Sequence, residues 1–502
     1  MKSTLKLPEL WLGIGATVIA VFAWQYRLRF PFDDTFISFR YAEHLANGNG
    51  LVWNIGGPHT EGYTNFLFVV FLAAASFISH DLLAMAQIIG LLSTLATGLL
   101  LYLIAKSWRD NMTGILAGLL YFITPLTWIN ALSGMETSFF VFLIVLSIAL
   151  FRTRARIAFF VVLLATLTRP EAGLPAVIAF AVLLFTISSK KAVAIAFLLS
   201  FVIPMLVSAI WEYEYFDYLL PNSFYVKVLS ATHSLFPGLQ YVRLFLVSTI
   251  ILIVASLGIR KWSNIPAFTI TLFWTLILII FYIFVLPLEG LYDRFLWPAF
   301  AMLCLTAAVG LRDFTSRFGQ KVFFPAATLL LVAHILLMSY SPRTRQSLIA
   351  HEELWDANMD HLVHELKLLP HFDSLTLAYG DAGYIIYKSG IKHLDLFGLN
   401  NTPIAHARGN SLECATIVSS ENPDIILLPA KPEDSCYRLV EDAYGIARTN
   451  LYTPAASFDA FPYRLVLYIG IRSPFANDLN ASIGRELHTS VSFLQPAPRC
   501  LK

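Results

Sequence analysis

The chain has 502 residues, of which 57% are hydrophobic and 14% charged, with a mean hydropathy of +0.66. A soluble globular protein carries nearer a quarter charged residues, so this one has too little polar surface to coat a water-soluble body of its size. The net charge of +2, with no long basic stripe, gives no basis for nucleic-acid binding.

Lys2 and Lys6 precede an apolar stretch from about Leu10 to Tyr26. The stretch is long for a signal-peptide core, and Gln25, Tyr26, Arg27 and Arg29 do not form a small-residue cleavage site. A retained first span with a cytoplasmic start is expected. Hydropathy then gives about twelve apolar runs, at roughly 10–27, 65–79, 84–105, 113–131, 136–151, 157–168, 172–187, 192–211, 241–259, 265–286, 296–311 and 322–340. Most approach the length needed to cross about 30 Å of hydrocarbon.

Short basic loops (Arg152/Arg154/Arg156, Lys190/Lys191, Arg260/Lys261, Arg312/Arg317/Lys321) alternate with loops rich in carboxylate, proline and aromatic residues (133–137, 168–171, 212–240, 287–295). The positive-inside rule puts the first set in the cytoplasm and the second outside. An inside start and an outside tail need an odd number of crossings. The run 65–79 is the shortest candidate before residue 113, and lying in the interface or re-entering it restores parity. About eleven crossings are expected, filling residues 1–340.

After about residue 341 the apolar runs stop. Residues 374–379, 391–396, 424–428 and 464–469 read as short buried strands, and 351–369 and 433–443 as helices. They predict a small α/β or α+β domain over 341–502, on the extracytoplasmic side. Cys304 sits in a membrane run and reads as a packing residue. Cys414, Cys436 and Cys500 show no metal-ligand spacing. A Cys414–Cys436 disulfide and two free thiols are both compatible with their spacing.

The loop over about 28–64 is the most informative stretch. Asp33 and Asp34 follow a proline just beyond the first span, and Phe36, Phe39, Tyr41 and Leu45 recur at helical spacing. An amphipathic helix along the membrane surface is expected there, with the carboxylates at its N-terminal end, where the dipole favours the ionised form. A carboxylate so placed suits a general base for an acceptor hydroxyl. N-capping by Asp34 is the plainer alternative. A divalent cation at the pair is a further alternative, since paired carboxylates suit hard cations, but few other ligands are in view and no metal ligand is assigned. Scattered histidines argue against zinc, and no phosphate loop or dinucleotide glycine motif supports a soluble nucleotide sugar. No cofactor is assigned.

The string DDTFISFRYAEHLANGNGLVWNIGGPHTEGYTNF resembles the first outer loop of bacterial terminal arabinofuranosyltransferases of the mycobacterial cell-wall type. Those enzymes belong to the GT-C superfamily of membrane glycosyltransferases that use polyprenyl-phosphate sugars. The resemblance continues at 133–137 (SGMET), 168–171 (TRPE), 220–227 (LPNSFYVK) and in the tail at GDAGYIIYKSGIKHLDLFGLN. Residues 57–60 (GPHT) depart from the family's usual spacing before EGYTN. The resemblance implies a GT-C bundle with Asp33 or Asp34 as base. It also implies substrate contacts from Arg40, Glu61, Tyr63, Asn65, Glu136, Glu171, Asn222 and Tyr225.

Three cations could bind the donor phosphate. Arg169 offers a planar fork to phosphate, or a structural pair with Glu171 or Glu136. Lys227 and Arg294 offer phosphate contact, or contact with lipid headgroups. Glu136 is explained as well by a helix start as by substrate, and the aromatics of 213–225 by an interfacial belt.

The expected reaction moves a sugar, arabinofuranose by resemblance, from a polyprenyl-phosphate donor to an acceptor hydroxyl on a glycan or glycoprotein. The expected location is a bacterial plasma membrane, at its outer face. A pilin-type protein glycosyltransferase is one alternative. A lipid-linked sugar flippase is another, though no internal duplication of the transporter kind is visible.

Overall fold

The computed structural model describes residues 7–27, 31–151, 153–229, 235–260, 266–284, 293–340, 354–407, 410–429, 452–460 and 463–486. The expected helix at 433–443, Cys436 and Cys500 lie outside them, and so does the proposed partner of Cys414. Apolar helices make up the chain to Tyr340. They are α1 (Leu7–Trp24), α2 (Thr35–Ala46), α3 (Phe66–Ser76), α4 (Leu82–Trp108), α5 (Asn111–Phe122), α6 (Pro125–Leu132), α7 (Thr137–Phe151) and α8 (Ala155–Thr168). There follow α9 (Gly173–Thr186), α10 (Lys190–Phe216), α11 (Phe236–Ser248), α12 (Ile250–Ser256), α13 (Pro266–Phe284), α14 (Trp297–Thr315) and α15 (Gln320–Tyr340).

Among the described residues three helices are long and apolar enough to cross a membrane. Two bent pairs could each serve as one further span, and the other apolar helices have 10–17 residues. The bends fall inside runs that read as continuous in sequence. Between α5 and α6 the axis turns by 60° at Thr124-Pro125, because proline has no N–H to give and pushes Thr124 into an extended conformation. Between α11 and α12 it turns by 68°, where the Ser248 and Thr249 hydroxyls both donate to the Phe245 carbonyl.

Helix α14 runs through the middle of the bundle, and its residues 297–310 are buried throughout. Polar groups on that axis would need partners, so it carries Trp297, Phe300 and Cys304 against Tyr121 and Phe140. Asp81 and Asp110 cap α4 and α5 by accepting from the N–H groups of Ala84 and Thr113.

The tail forms a five-stranded sheet: β1 (Thr376–Tyr379), β2 (Lys392–Asp395), β3 (Ile425–Pro429), β4 (Tyr452–Ala460) and β5 (Tyr463–Gly470). Their order is β2-β1-β3-β5-β4. The first three are parallel, and β5 runs antiparallel to both β3 and β4. The four strands expected from sequence are present. β4 was not foreseen, since its alternation is broken by Pro454 and a bulge before Ala456. Helices α16 (Leu354–Lys367), α17 (Tyr384–Ser389), α18 (Thr402–Ala407), α19 (Ser411–Glu421) and α20 (Ala476–Glu486) flank the sheet.

Helix α2 is present where its amphipathic pattern suggested, but it is not left half-exposed. Nine of its twelve residues are buried, because one side packs on α3 and the other on α17 of the tail. Phe36, Phe39, Tyr41, Trp53 and Tyr63 join Leu362, Ile385, Ile386 and Leu399 in one hydrophobic cluster. The segment 36–63 thus shares its core with a segment more than 300 residues away.

Polar contacts lock that seam. Arg40 donates from Nε to Trp53 O (2.8 Å), from Nη1 to Ile386 O (3.0 Å), and from Nη2 to Ile391 O (3.0 Å) and Asn54 Oδ1 (3.2 Å). Burial lowers its pKa to about 10, so it stays charged at neutral pH. Trp53 Nε1 donates to His393 Nδ1 at 3.1 Å. That fixes the tautomer in which Nε2 carries the proton and donates to Tyr379 O at 3.0 Å.

Candidate active site

A cavity of about 470 Å³ opens where α2, the loop before α3, α8, α10 and the start of α14 converge. Ile37, Phe66, Leu167, Met205, Leu220 and Phe281 give it apolar walls. Of the residues singled out from sequence, Asp34, Glu61, Tyr63, Asn65, Glu136, Arg169, Glu171, Lys227 and Arg294 line it. Arg40, Asn222 and Tyr225 do not, and each is engaged with the tail. Asn222 Nδ2 donates to Leu399 O and Thr402 Oγ1, and the Tyr225 ring lies 4.0 Å from that of His406.

The two adjacent aspartates part company. Asp34 occupies the N-cap position of α2 but makes no capping hydrogen bond. Its Oδ2 instead accepts from Arg294 Nη2 at 3.0 Å. Asp33 turns toward the tail, where its Oδ1 accepts from the Tyr384 backbone N–H at 2.8 Å. Residues next to each other at a helix start point in different directions, so one carboxylate faces the cavity and the other the seam.

The three cations also differ. Arg169 is closed by acidic and phenolic partners: Nε donates to Glu171 Oε1 at 2.7 Å, Nη1 to Glu136 Oε1 at 3.5 Å and Nη2 to Tyr282 Oη at 3.4 Å. Tyr282 in turn donates to Glu171 Oε1 at 2.6 Å. Asn65 holds the other Glu136 oxygen at 2.9 Å. Arg294 is as deeply buried, 4% exposed. Its guanidinium lies over the rings of Phe32 and Phe295, and its Nε and Nη1 have no hydrogen-bond partner among the described residues. Lys227 is half-buried on the cavity wall.

Glu61 stands on the wall beside Glu212. Burial first, and then the Glu212 charge, raise its pKa to about 8, so it holds its proton at neutral pH. Its Oε2, like Tyr63 Oη and Ser223 Oγ, has no hydrogen-bond partner among the described residues. Such a group gains on meeting a hydrogen-bonding ligand. Among the described residues no three His, Cys, Asp or Glu side chains converge as a cation site.

Sequence reasoning did not single out Tyr282, Glu212 or Gly383. Tyr282 sits in an apolar run whose hydropathy hides a phenol. Gly383, in the Gly380–Gly383 turn after β1, meets Asp33 only through the tertiary fold. The motif GDAG carried a signal, but its partner lies nearly 350 residues earlier.

Residues 361–468 match the model of a domain of unknown function, DUF8728. No curated protein matches the chain. Among solved structures it is similar to ArnT from Cupriavidus metallidurans bound to undecaprenyl phosphate, with TM-score 0.60 and 11% identity over 92% of this chain and 98% of that one. It is similar also to the oligosaccharyltransferase AglB from Archaeoglobus fulgidus in complex with an inhibitory peptide and a dolichol-phosphate (TM-score 0.56, 13% identity, 94% of this chain and 75% of that one). A third likeness is to the arabinofuranosyltransferase AftD from Mycobacteria, at TM-score 0.50 and 14% identity over 94% of this chain and 42% of that one. The chain therefore shares the fold of these solved structures, here a helical bundle with a small C-terminal sheet domain.

Proposed function

We propose that this protein is a membrane glycosyltransferase. It moves a sugar from a polyprenyl-phosphate donor to an acceptor hydroxyl at the outer face of a bacterial plasma membrane. The observation that carries the reading is the cavity itself. Apolar walls suited to a lipid tail lead to Arg294 and Lys227, and the Asp34 carboxylate stands beside them, with Asp33 next to it in the chain.

Arg294 and Lys227 hold the donor phosphate in this reading. The Arg169 charge is already matched by two carboxylates, so its part is to brace Glu136 and Glu171. As the acceptor oxygen bonds to the anomeric carbon, the bond from that carbon to the phosphate oxygen breaks, and the phosphate leaves with the electron pair. The two cations stabilise the charge that develops on it.

A single displacement needs its base on the face opposite the leaving group. Asp34 is hydrogen-bonded to a phosphate-holding cation and so stands on the leaving side. Asp33 is therefore the base that takes the acceptor proton, and Asp34 orients Arg294. Glu61, Tyr63 and Asn65 meet sugar hydroxyls. The resemblance to arabinofuranosyltransferases supports arabinofuranose as the sugar and a cell-envelope glycan as the acceptor. About eleven crossings and an extracytoplasmic tail complete the reading, and the half-span length of α3, about 16 Å at 1.5 Å per residue, supports that parity.

The test uses the purified full chain in detergent with a synthetic polyprenyl-phosphate pentose and a glycan acceptor, and product is read by mass spectrometry. A new glycosidic bond is expected. Passage of the sugar-lipid across vesicles with no glycoside formed would overturn the reading in favour of a flippase.

A further inference from the structure

Strand β2 ends on Asp395, and the chain then folds back on itself before α18 begins at Thr402. The fully buried Asp395 carboxylate shapes that loop. Its Oδ1 accepts from the N–H groups of Phe397 (2.8 Å) and Gly398 (3.1 Å). Its Oδ2 accepts from the Asn400 N–H (2.8 Å) and from Asn400 Nδ2 (2.9 Å). Gly398 turns with φ +88°, a conformation open to glycine and rare for other residues. Four donors on one buried carboxylate leave the loop little freedom, and Leu399 is held between two of the anchored residues.

Among the described residues that line the cavity, Leu399 alone comes from the tail. Contacts with two segments of the bundle fix where it enters. Leu399 O accepts from Asn222 Nδ2 at 3.1 Å, while the Asn222 N–H donates to Glu61 O at 3.0 Å. Asn400 Oδ1 accepts from Tyr41 Oη at 3.1 Å, and Tyr41 Oη accepts from the Gly62 N–H at 3.2 Å. A Cβ at Gly62 would collide with Asn400 Oδ1 and Leu399 O, so loop and wall meet in direct contact.

The loop thereby closes the sector of the wall that carries Glu61, Tyr63 and Ser223. Each of those residues has a buried polar atom with no hydrogen-bond partner among the described residues. Such atoms beside an apolar side chain match a sugar, whose hydroxyls need partners and whose C–H edge does not. Tied on both sides, Leu399 cannot yield to a larger ring without breaking these bonds.

We propose that Leu399, presented by the Asp395 loop of the C-terminal domain, is a specificity-determining residue. It closes the sugar subsite beside Glu61, Tyr63 and Ser223, so that a pentose is admitted and a hexose, larger by one CHOH unit, is resisted. The inference rests on the glycosyltransferase reading and gives the tail a part in choosing the sugar.

The experiment offers the purified full chain in detergent a polyprenyl-phosphate pentose or the matching hexose, each with the glycan acceptor. The reading is the ratio of kcat/KM for hexose to that for pentose. Wild type is compared with Leu399→Val, Leu399→Ala, Leu399→Phe and Val418→Ala, each checked for a monodisperse, cooperatively melting protein. Val418 lies in a separate core on the other face of the sheet, so its truncation reports a loosened tail alone.

Since one methylene in an apolar pocket is worth about 10-fold or more in discrimination, Leu399→Ala should move the ratio toward hexose by roughly tenfold or more. Leu399→Val should move it the same way by less. Leu399→Phe fills the subsite and should lower kcat/KM for both donors. Val418→Ala should lower the thermal midpoint and keep the ratio within about twofold.

A ratio unchanged in both Leu399→Ala and Leu399→Val would overturn the inference. So would an equal shift in Val418→Ala, or a wild type that uses hexose as readily as pentose. Absence of product from either donor with wild type would overturn the glycosyltransferase reading, and this inference with it. Should Leu399→Ala fail to fold, Leu399→Val decides alone by the same ratio.

Discussion

The two ends of the bundle treat charge in opposite ways. At the far end of α4, some 40 Å from its start at 1.5 Å per residue, Arg109 grips Asp313 through two hydrogen bonds of 2.6 and 2.7 Å. Arg312 there donates to Asp110 at 2.6 Å. Each cation has its carboxylate, and the pairs close the loops between helices. At the cavity end one cation, Arg169, is closed in the same manner. Its neighbour Arg294 has two nitrogens without acceptors among the described residues, beside a carboxyl pair split between two directions. Matched charge is structural at either end. A buried donor without an acceptor among the described residues is one that gains by meeting a hydrogen-bonding ligand.

The sharpest way to break that contrast is at the aspartates. Asp33→Asn should lower kcat by roughly 10²–10⁴-fold, the usual worth of a general base, with the protein still folded. Asp34→Asn should act mainly by raising donor KM, since it releases Arg294. Steady-state kinetics against both substrates reads the difference, and equal near-wild-type turnover in the two variants would remove the pair from the mechanism.

The arginines come next. Arg169→Ala leaves Glu136 and Glu171 buried without their counter-ion, a loss of about 3–5 kcal/mol of stability. It should appear as a lower thermal midpoint, with donor KM of the surviving protein within about twofold. Arg294→Lys should do the reverse, raising donor KM roughly tenfold as the two-pronged contact is lost. If Arg169→Ala raised donor KM as much, the distinction between the two cations would fall.

A smaller effect is expected at the seam. Burial depresses the His393 pKa from 6.5 to about 3, so the folded protein holds it neutral while the unfolded chain protonates it below about 6.5. Its contribution to stability is complete above that pH and declines as pH falls toward 3. Between 6.5 and 5 the decline is about 2 kcal/mol, at 1.36 kcal/mol per pH unit. The thermal midpoint should fall accordingly, and His393→Gln should flatten the dependence. Smallest of all, Arg312→Gln at the far end should cost about 1 kcal/mol or less and leave transfer unchanged.

Much of this was legible in the sequence, and the remainder was hidden for definite reasons. Apolar runs disclosed the helices, and Asp33-Asp34 stood out because two carboxylates beside a membrane span are costly unless used. Periodicity of 3.6 at Phe36, Phe39 and Tyr41 disclosed a helix but not its neighbours. The same pattern serves a membrane surface and a domain seam equally, and the seam is what the structure has. Arg40 read as a substrate contact by resemblance. It is spent on four acceptors at the junction of loop and tail, which no local spacing could foretell. The breaks at Thr124 and Thr249 were invisible to hydropathy, which sums over windows longer than a single helical turn.

The shared core of loop and tail also bears on how the protein is made. Arg40 waits for the carbonyl of Ile386, 346 residues later in the chain. At about 5–20 residues per second of synthesis, that interval is about 20–70 s, during which α2 has no partner on one face. Asp33 likewise meets the Tyr384 N–H only after the tail has been made. A chain stalled before the tail would thus carry the helices of the bundle and still leave one face of α2 uncovered.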